Sequence, residues 1–333
     1  MKLSNFREND KVLLLGEGNF SFAVSLMEHN LPITITASCY ETSILHDSTR
    51  KNVDSLQNNG LRVLLGVDAT SIADHPALRN ETFDKILFNF PHVGGKMRID
   101  KNRELIRKFF TTVGLFLNAD GLILMTLCNG QGGTLADRTQ RRWDDSWKVK
   151  EMAAHGNFIL NRVEPFDISN FPNYNSTGYR GLEKKFHVEN SLTHFFSKTE
   201  APALEHFAAG IPLDYDVPIH LQDNIHYLDL VPQGDQDFGN LNPPMFQFNI
   251  TFSIDEDFRE FKLFVILYNF AGKIVRNVEF VRSYKFPSGK ITNTYKISYQ
   301  SDVIPLYRQR VIDIHRRIIA ELLFDNLDVI VTR

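Results

Sequence analysis

The chain has 333 residues, 43% hydrophobic and 23% charged, with 27 Phe. This is globular composition, long enough for about two ordinary domains and too apolar for disorder to dominate. A formal net charge of -3 supplies no global basic field, so any hold on nucleic acid must use local patches. Residues 1–7 lack the long apolar run of a secretory signal and no segment reaches bilayer-spanning length, so the expectation is a soluble intracellular protein with no membrane partner. Cys39 and Cys128 lie in apolar, strand-like runs, which favours buried reduced thiols over a disulfide or a metal pair. The eleven His are scattered, so no metal site is expected.

In chain order, short apolar runs predict strands at 11–16, 33–41, 62–68, 83–89 and 121–128, separated by helical or loop connections. That rhythm is the signature of a parallel sheet covered on both faces. The clearest helix covers 102–118, where Leu105, Ile106, Phe109, Phe110, Val113 and Leu117 recur at helical spacing and Asp120-Gly121 is read as the stop. A helix at 147–154 and two strands, 158–163 and 183–188, are expected at an antiparallel sheet edge. From 190 to 243 the periodicity fades and prolines accumulate, so 191–242 reads as a linker with local structure between a first domain at 1–190 and a second at 243–333. The second domain predicts a strand at 246–254, a helix at 257–268, strands at 273–280 and 293–299 joined by the turn Pro287-Ser288-Gly289-Lys290, a helix at 306–323 and a last strand at 327–331. The order βαββαβ is that of an α+β ferredoxin-like sandwich.

The first strand, Lys11-Val12-Leu13-Leu14-Leu15, breaks into Gly16-Glu17-Gly18-Asn19-Phe20-Ser21-Phe22. Glycines at 16 and 18 permit positive φ and close backbone approach, and the helix that follows would aim its unpaired N–H groups at a ligand. A dinucleotide fingerprint wants a third glycine where this chain has Ser21. S-adenosylmethionine needs no pyrophosphate cradle, so the turn favours a methyl donor. Glu41, at the end of the second strand, fits the ribose hydroxyls in either case. Asp68, with the N–H of Ala69, ends the third strand where a carboxylate and a backbone donor could read an adenine edge. Glu17, Glu41 and Asp68 could each be a turn or cap carboxylate instead; three acids at successive strand ends favour a shared ligand.

The fourth strand ends in Asn89-Phe90-Pro91-His92. Proline fixes the bend, Asn89 offers an amide that both donates and accepts, and Phe90 or His92 could stack on a base. Methyl transfer to a ring or exocyclic nitrogen needs that base edge-on to the donor and a neighbour for the proton. His92 could be the neighbour or only a stacking face. The Gly-rich run Thr126-Leu127-Cys128-Asn129-Gly130-Gln131-Gly132-Gly133-Thr134 follows the fifth strand, and Arg138, Arg141, Arg142 and Trp143 beyond it could hold RNA, while Trp147 is read as buried in a helix.

The runs GEGNFSF, FNFPHVGGK and TLCNGQGGT, with DSWKV downstream, resemble the Rossmann-like methyltransferases that include the fungal large-subunit rRNA uridine-N3 methyltransferases, in the branch of the ferredoxin-fold anticodon-binding domain-containing proteins of animals. Residues 10–190 resemble the methyltransferase module. Residues 243–333 are similar to the anticodon-binding domain of mitochondrial-type phenylalanyl-tRNA synthetases, through Pro243-Pro244-Met245-Phe246 and the strands around 278–286 and 295–299. The resemblance implies that Gly16, Glu17, Gly18, Asn19, Glu41, Asp68 and Ala69 line an S-adenosylmethionine pocket, that Asn89, Phe90, Pro91 and His92 border the target base, and that the acceptor is uridine N3 of an RNA. The loop at 129–133 and the added domain depart from the rRNA enzymes, so tRNA competes with rRNA as substrate. Cytoplasm or nucleolus follows as the compartment, and an activating subunit stays open.

The second domain carries Lys285, Lys290, Lys296, Arg308, Arg310, Arg316, Arg317 and Arg333. Tyr295 and Tyr299 could stack bases and the arginines of the last helix follow phosphates, or the tyrosines could be core packing and the arginines solvated. RNA docking is the favoured expectation. Two other functions are open. One is a non-catalytic RNA-binding adaptor that keeps the methyltransferase fold. The other, a nicotinamide-dependent oxidoreductase, is disfavoured by Ser21.

Overall fold

The computed structural model describes residues 1–94, 98–177, 186–199, 240–254, 256, 258–324 and 329–330. The chain divides into two compact units, residues 1–199 and 200–333.

The first unit is built on a seven-stranded sheet. Its strands are β1 (Lys11–Leu15), β2 (Thr34–Ser38), β3 (Arg62–Leu64), β4 (Phe83–Asn89), β5 (Leu117–Leu127), β6 (Phe158–Pro165) and β7 (Leu192–Lys198). They lie in the order β3-β2-β1-β4-β5-β7-β6. The first five are mutually parallel, and β7 runs antiparallel to both β5 and β6. Burial on both faces explains why β1 is an unbroken apolar run. Its alternate side chains feed two cores: Leu13 and Leu15 join Phe109, Phe110 and Val113 of α3 (Ile99–Val113). Val12 and Leu14 join Phe22 and Leu26 of α1 (Ser21–Met27) and Val53 and Leu56 of α2 (Asp47–Asn58). A fourth helix, α4 (Val149–Ala154), lies between β5 and β6. The strand order reverses beside β1, and the crevice over the carboxyl ends of β1 and β4 is where such sheets bind ligands.

Several boundaries differ from the sequence expectation. The helix expected to run to residue 118 stops at Val113, because Leu117 is already paired with Phe83 in β5; Asp120 and Gly121 lie inside that strand. The strand inserted between β5 and β6 is Leu192–Lys198; of the strand expected at 183–188, residues 186–188 are not in a strand and residues 183–185 fall outside the described residues. The inserted strand was hidden because Thr193 and His194 put polar groups into the buried stretch Leu192–Phe196, erasing the apolar alternation. This strand falls inside the segment read as a linker, most of which lies outside the described residues.

The second unit follows βαββαβ order: β8 (Phe246–Ile254), α5 (Glu260–Ala271), β9 (Val275–Lys285), β10 (Ile291–Tyr299), α6 (Arg308–Phe324) and β11 (Val329–Ile330). Its four strands lie in the order β9-β10-β8-β11 with every neighbour antiparallel. The core between sheet and helices takes Ile250, Phe252, Tyr295, Ile297 and Tyr299 from the strands and Leu263, Ile266, Leu267, Val311, Ile314 and Ile318 from the helices. Tyr295 and Tyr299 are therefore core residues, 2% and 0% exposed, and cannot stack on bases as expected. The Tyr299 hydroxyl meets His315 Nδ1 at 2.8 Å, and burial pushes that imidazole down to about 4. The exposed aromatics sit instead on the edge strand and its turn, at Phe280, Tyr284 and Phe286. Arg333 lies outside the described residues.

Candidate active site at the carboxyl ends of the parallel strands

Where β1 ends, Gly16 and Gly18 both adopt left-handed backbone, φ +67° and +60°. A Cβ at Gly16 would stand 2.7 Å from the Phe88 ring, and one at Gly18 would collide with the Thr177 hydroxyl. Both positions thus need glycine for conformation and for space. The turn then caps its own helix: Asn19 Oδ1 accepts from Ser21 N–H at 3.1 Å, and Glu17 Oε2 accepts from Ala23 N–H at 2.9 Å. The expectation that these N–H groups face a ligand is corrected here. A carboxyl group already occupies the anion position at the start of α1. Glu17 is buried, and that burial pushes its carboxyl up to about 8.

A cleft of about 900 Å³ opens above the strand ends, ample for a nucleoside-sized ligand. Gly16, Gly18, Asn19, Glu41, Asp68, Ala69, Phe90, Pro91 and His92 line it. Glu17 and Asn89 do not; they line a small recess of about 40 Å³. Recess and cleft share Gly16, Phe90, Thr177 and Phe186, so the two lie side by side. Asp68 folds into its own turn, Oδ1 accepting from Thr70 N–H and Oγ1, both at 2.7 Å, which leaves Oδ2 for a ligand. Glu41 is exposed on the cleft wall, and its carbonyl accepts from Gly66 N–H, tying the ends of β2 and β3 together.

The bend after β4 is strained at Phe90, a non-glycine residue with φ +51°. Its ring is 5% exposed and already stacks on Phe186, centroids 5.6 Å apart, so only its rim faces the cleft. His92 is half-buried, with Phe186 at 5.8 Å and Trp147 at 6.3 Å between ring centroids. Burial holds this imidazole below its ordinary value. Burial thus favours its neutral form. Asn89 Oδ1 accepts from Thr126 Oγ1 at 2.7 Å, while its Nδ2 is buried with no hydrogen-bond partner.

The Gly-rich segment after β5 is tied down by hydrogen bonds to residues further along the chain and does not line the cleft. Asp137 receives Gly130 N–H and Thr134 N–H, and Trp147 N–H bonds Gln131 O at 2.7 Å. Trp147 is buried, ahead of α4, and Arg138, Arg141 and Arg142 are exposed. Sequence reasoning missed Tyr40, exposed beside Glu41, and the α3 residues Lys101, Glu104, Leu105 and Lys108, which all line the cleft. Their spacing of three and four places them on one helical face, a signal that was available. Neither cysteine is in a disulfide; burial pushes the Cys39 thiol up to about 12. Among the described residues, no group of His, Cys, Asp and Glu could hold a metal and no helix is long and apolar enough to cross a membrane.

Residues 13–178 match the BMT5-like family model, described as rRNA (uridine-N3-)-methyltransferase BTM5-like. Human ferredoxin-fold anticodon-binding domain-containing protein 1 is 43% identical over 193 residues, 57% of this chain and 31% of that one, and its mouse homolog is 42% identical over the same shares. The Saccharomyces cerevisiae 25S rRNA (uridine(2634)-N(3))-methyltransferase is 25% identical over 261 residues, 62% of this chain and 77% of that one. The match spans about a third of the length of the mammalian relatives.

Proposed function

Because the chain belongs, through its first unit, to the BMT5-like rRNA (uridine-N3-)-methyltransferase family, we propose that it transfers methyl groups from S-adenosylmethionine to a base in RNA. N3 of an rRNA uridine is the favoured acceptor, in line with the activity for which the yeast relative is named, and a tRNA uridine is the competitor. The observation that carries this reading is the cleft itself, which gathers Gly16, Gly18, Glu41, Asp68 and the Pro91-His92 bend from the ends of four parallel strands.

The residues suit this donor better than a dinucleotide. A pyrophosphate would need the N–H groups that Asn19 and Glu17 have taken, whereas a nucleoside bearing an amino-acid tail needs no such cradle. Glu41 would accept from the ribose hydroxyls. Asp68 Oδ2 and the Ala69 N–H would face the adenine edge. When bound, the donor supplies an electrophilic methyl group. The chain's own contribution is position: Pro91 fixes the bend, Asn89 and His92 border the acceptor, and neutral His92 takes the proton leaving nitrogen.

The βαββαβ order and antiparallel sheet of the second unit support a ferredoxin-like reading. This unit holds RNA through the edge strand and its turn, where Tyr284 and Phe286 stand 4.8 Å apart beside Arg282 and Lys285. Incubation of the protein and RNA with methyl-labelled S-adenosylmethionine, followed by nucleoside analysis, tests the whole proposal. Labelled N3-methyluridine that disappears with Asn89→Ala is the expected result. RNA binding without any methyl incorporation would favour the adaptor function instead.

A further inference from the structure

Asn89, Thr126 and Thr193 stand side by side on three adjacent strands, since β4 pairs Asn89 with Thr126 and β5 pairs Thr126 with Thr193. Both threonines are fully buried, and their hydroxyls are 3.0 Å apart. Thr126 Oγ1 donates to Asn89 Oδ1 at 2.7 Å. The amide oxygen is thereby engaged on the sheet side. The amide nitrogen is buried and lacks any acceptor, and Asn89 lines the recess beside the cleft. A buried donor left unpaired is costly, and native chains retain one chiefly where something else completes it.

We propose that the Thr193–Thr126 hydroxyl pair fixes the polarity of the Asn89 amide, so that the site presents only an N–H donor and reads a carbonyl oxygen on the acceptor base. At about 40 Å³ the recess is too small for a ring and large enough for one projecting atom. The base would remain in the cleft and send one oxygen inward. Uracil carries a carbonyl on either side of N3; the O4 carbonyl is the one that enters the recess, which leaves N3 next to it. Cytosine carries an amino group at the corresponding position; a donor would meet a donor, and Asn89 would stay unpaired. Asn89 is the contact residue, whereas Thr126 and Thr193 are positioning residues that act through it. This inference rests on the proposed RNA base methyltransferase activity and adds the feature by which the base is chosen.

The test is titration of the protein, saturated with S-adenosylhomocysteine, with uridine 5′-monophosphate and cytidine 5′-monophosphate. The wild type is expected to favour the uridine nucleotide by about tenfold or more. Thr126→Val frees the amide to turn and should bring the two affinities within about threefold of each other, with S-adenosylhomocysteine binding unchanged. Thr126→Ser, which keeps the hydroxyl, should restore the preference. Asn89→Asp replaces the donor by an acceptor and should reverse the preference; this variant carries the test alone if Thr126→Val does not fold. Equal binding of the two nucleotides by the wild type, binding of neither, or full uridine preference in Asn89→Asp overturns the inference. A uridine preference governed by Asn89 without methyl transfer would refute the enzymatic reading and leave the carbonyl recognition standing. Methyl transfer with no such preference would do the reverse.

Discussion

The carboxyl edge of the first sheet and the outer strand of the second expose opposite kinds of surface. At the first, strands buried on both faces release their terminal residues into a cleft, and the chemistry resides in backbone turns, carboxylates and one unpaired amide. At the second, β9 is exposed along nearly its whole length and displays Phe280, Val281 and Tyr284, with Phe286 in the turn just beyond it. A register shift between Phe280 and Arg282 and the neighbouring cations guard this edge against pairing with another strand. Location within the sheet, not residue type, decides the role. Tyr295 on central β10 is 2% exposed while Tyr284 on edge β9 is 54% exposed.

The sharpest way to break this contrast is to add one methyl group to a glycine in each region. Gly18→Ala meets both a left-handed φ and the Thr177 hydroxyl, whereas Gly289, at φ +87° in the β9–β10 turn, has nothing within 4 Å of an added Cβ. Titration should show S-adenosylhomocysteine affinity falling by about a hundredfold or more in Gly18→Ala. Gly289→Ala should leave it unchanged and cost only about 1 kcal/mol of stability. Next in size, Tyr299→Ala removes a fully buried ring and its hydrogen bond to His315. Denaturant unfolding should show a loss of about 3–5 kcal/mol.

A smaller effect distinguishes the cleft by pH. Burial raises the Glu17 carboxyl from 4.5 to about 8, so within that window the folded chain keeps a proton that the unfolded chain has released. Stability is full below the lower value, falls as pH rises through the window and levels off above the upper one. The melting temperature of the wild type should decline by several degrees relative to Glu17→Gln across it; parallel profiles would show that Glu17 titrates normally. Smallest of all, Tyr284→Ala should change stability by less than about 0.5 kcal/mol while weakening retention of RNA in a filter-binding assay. A large stability loss would mean that the edge tyrosine is packed like Tyr295.

The same contrast explains what could be read in advance. The parallel strands were legible because burial on both faces leaves continuous apolar runs, and the glycine turn because only glycine tolerates the backbone at 16 and 18. Strand β7 was not, since buried Thr193 and His194 disguise it as polar sequence. Glu17 looked like a ligand-facing acid; its partner, Ala23 N–H, lies on the helix six residues on, and only the folded turn reveals the cap. Asn89 was placed correctly at the strand end, yet the direction of its amide depends on Thr126 and Thr193, distant in sequence and adjacent only through sheet register. Tyr295 and Tyr299 were misjudged because strand alternation cannot tell a helix-covered face from an open one.

Calorimetric titration of the protein with S-adenosylhomocysteine bears most directly on the cleft as a methyl-donor site. One equivalent should bind, and Asp68→Ala should abolish the heat. A wild-type protein that is folded and gives no heat would contradict the account.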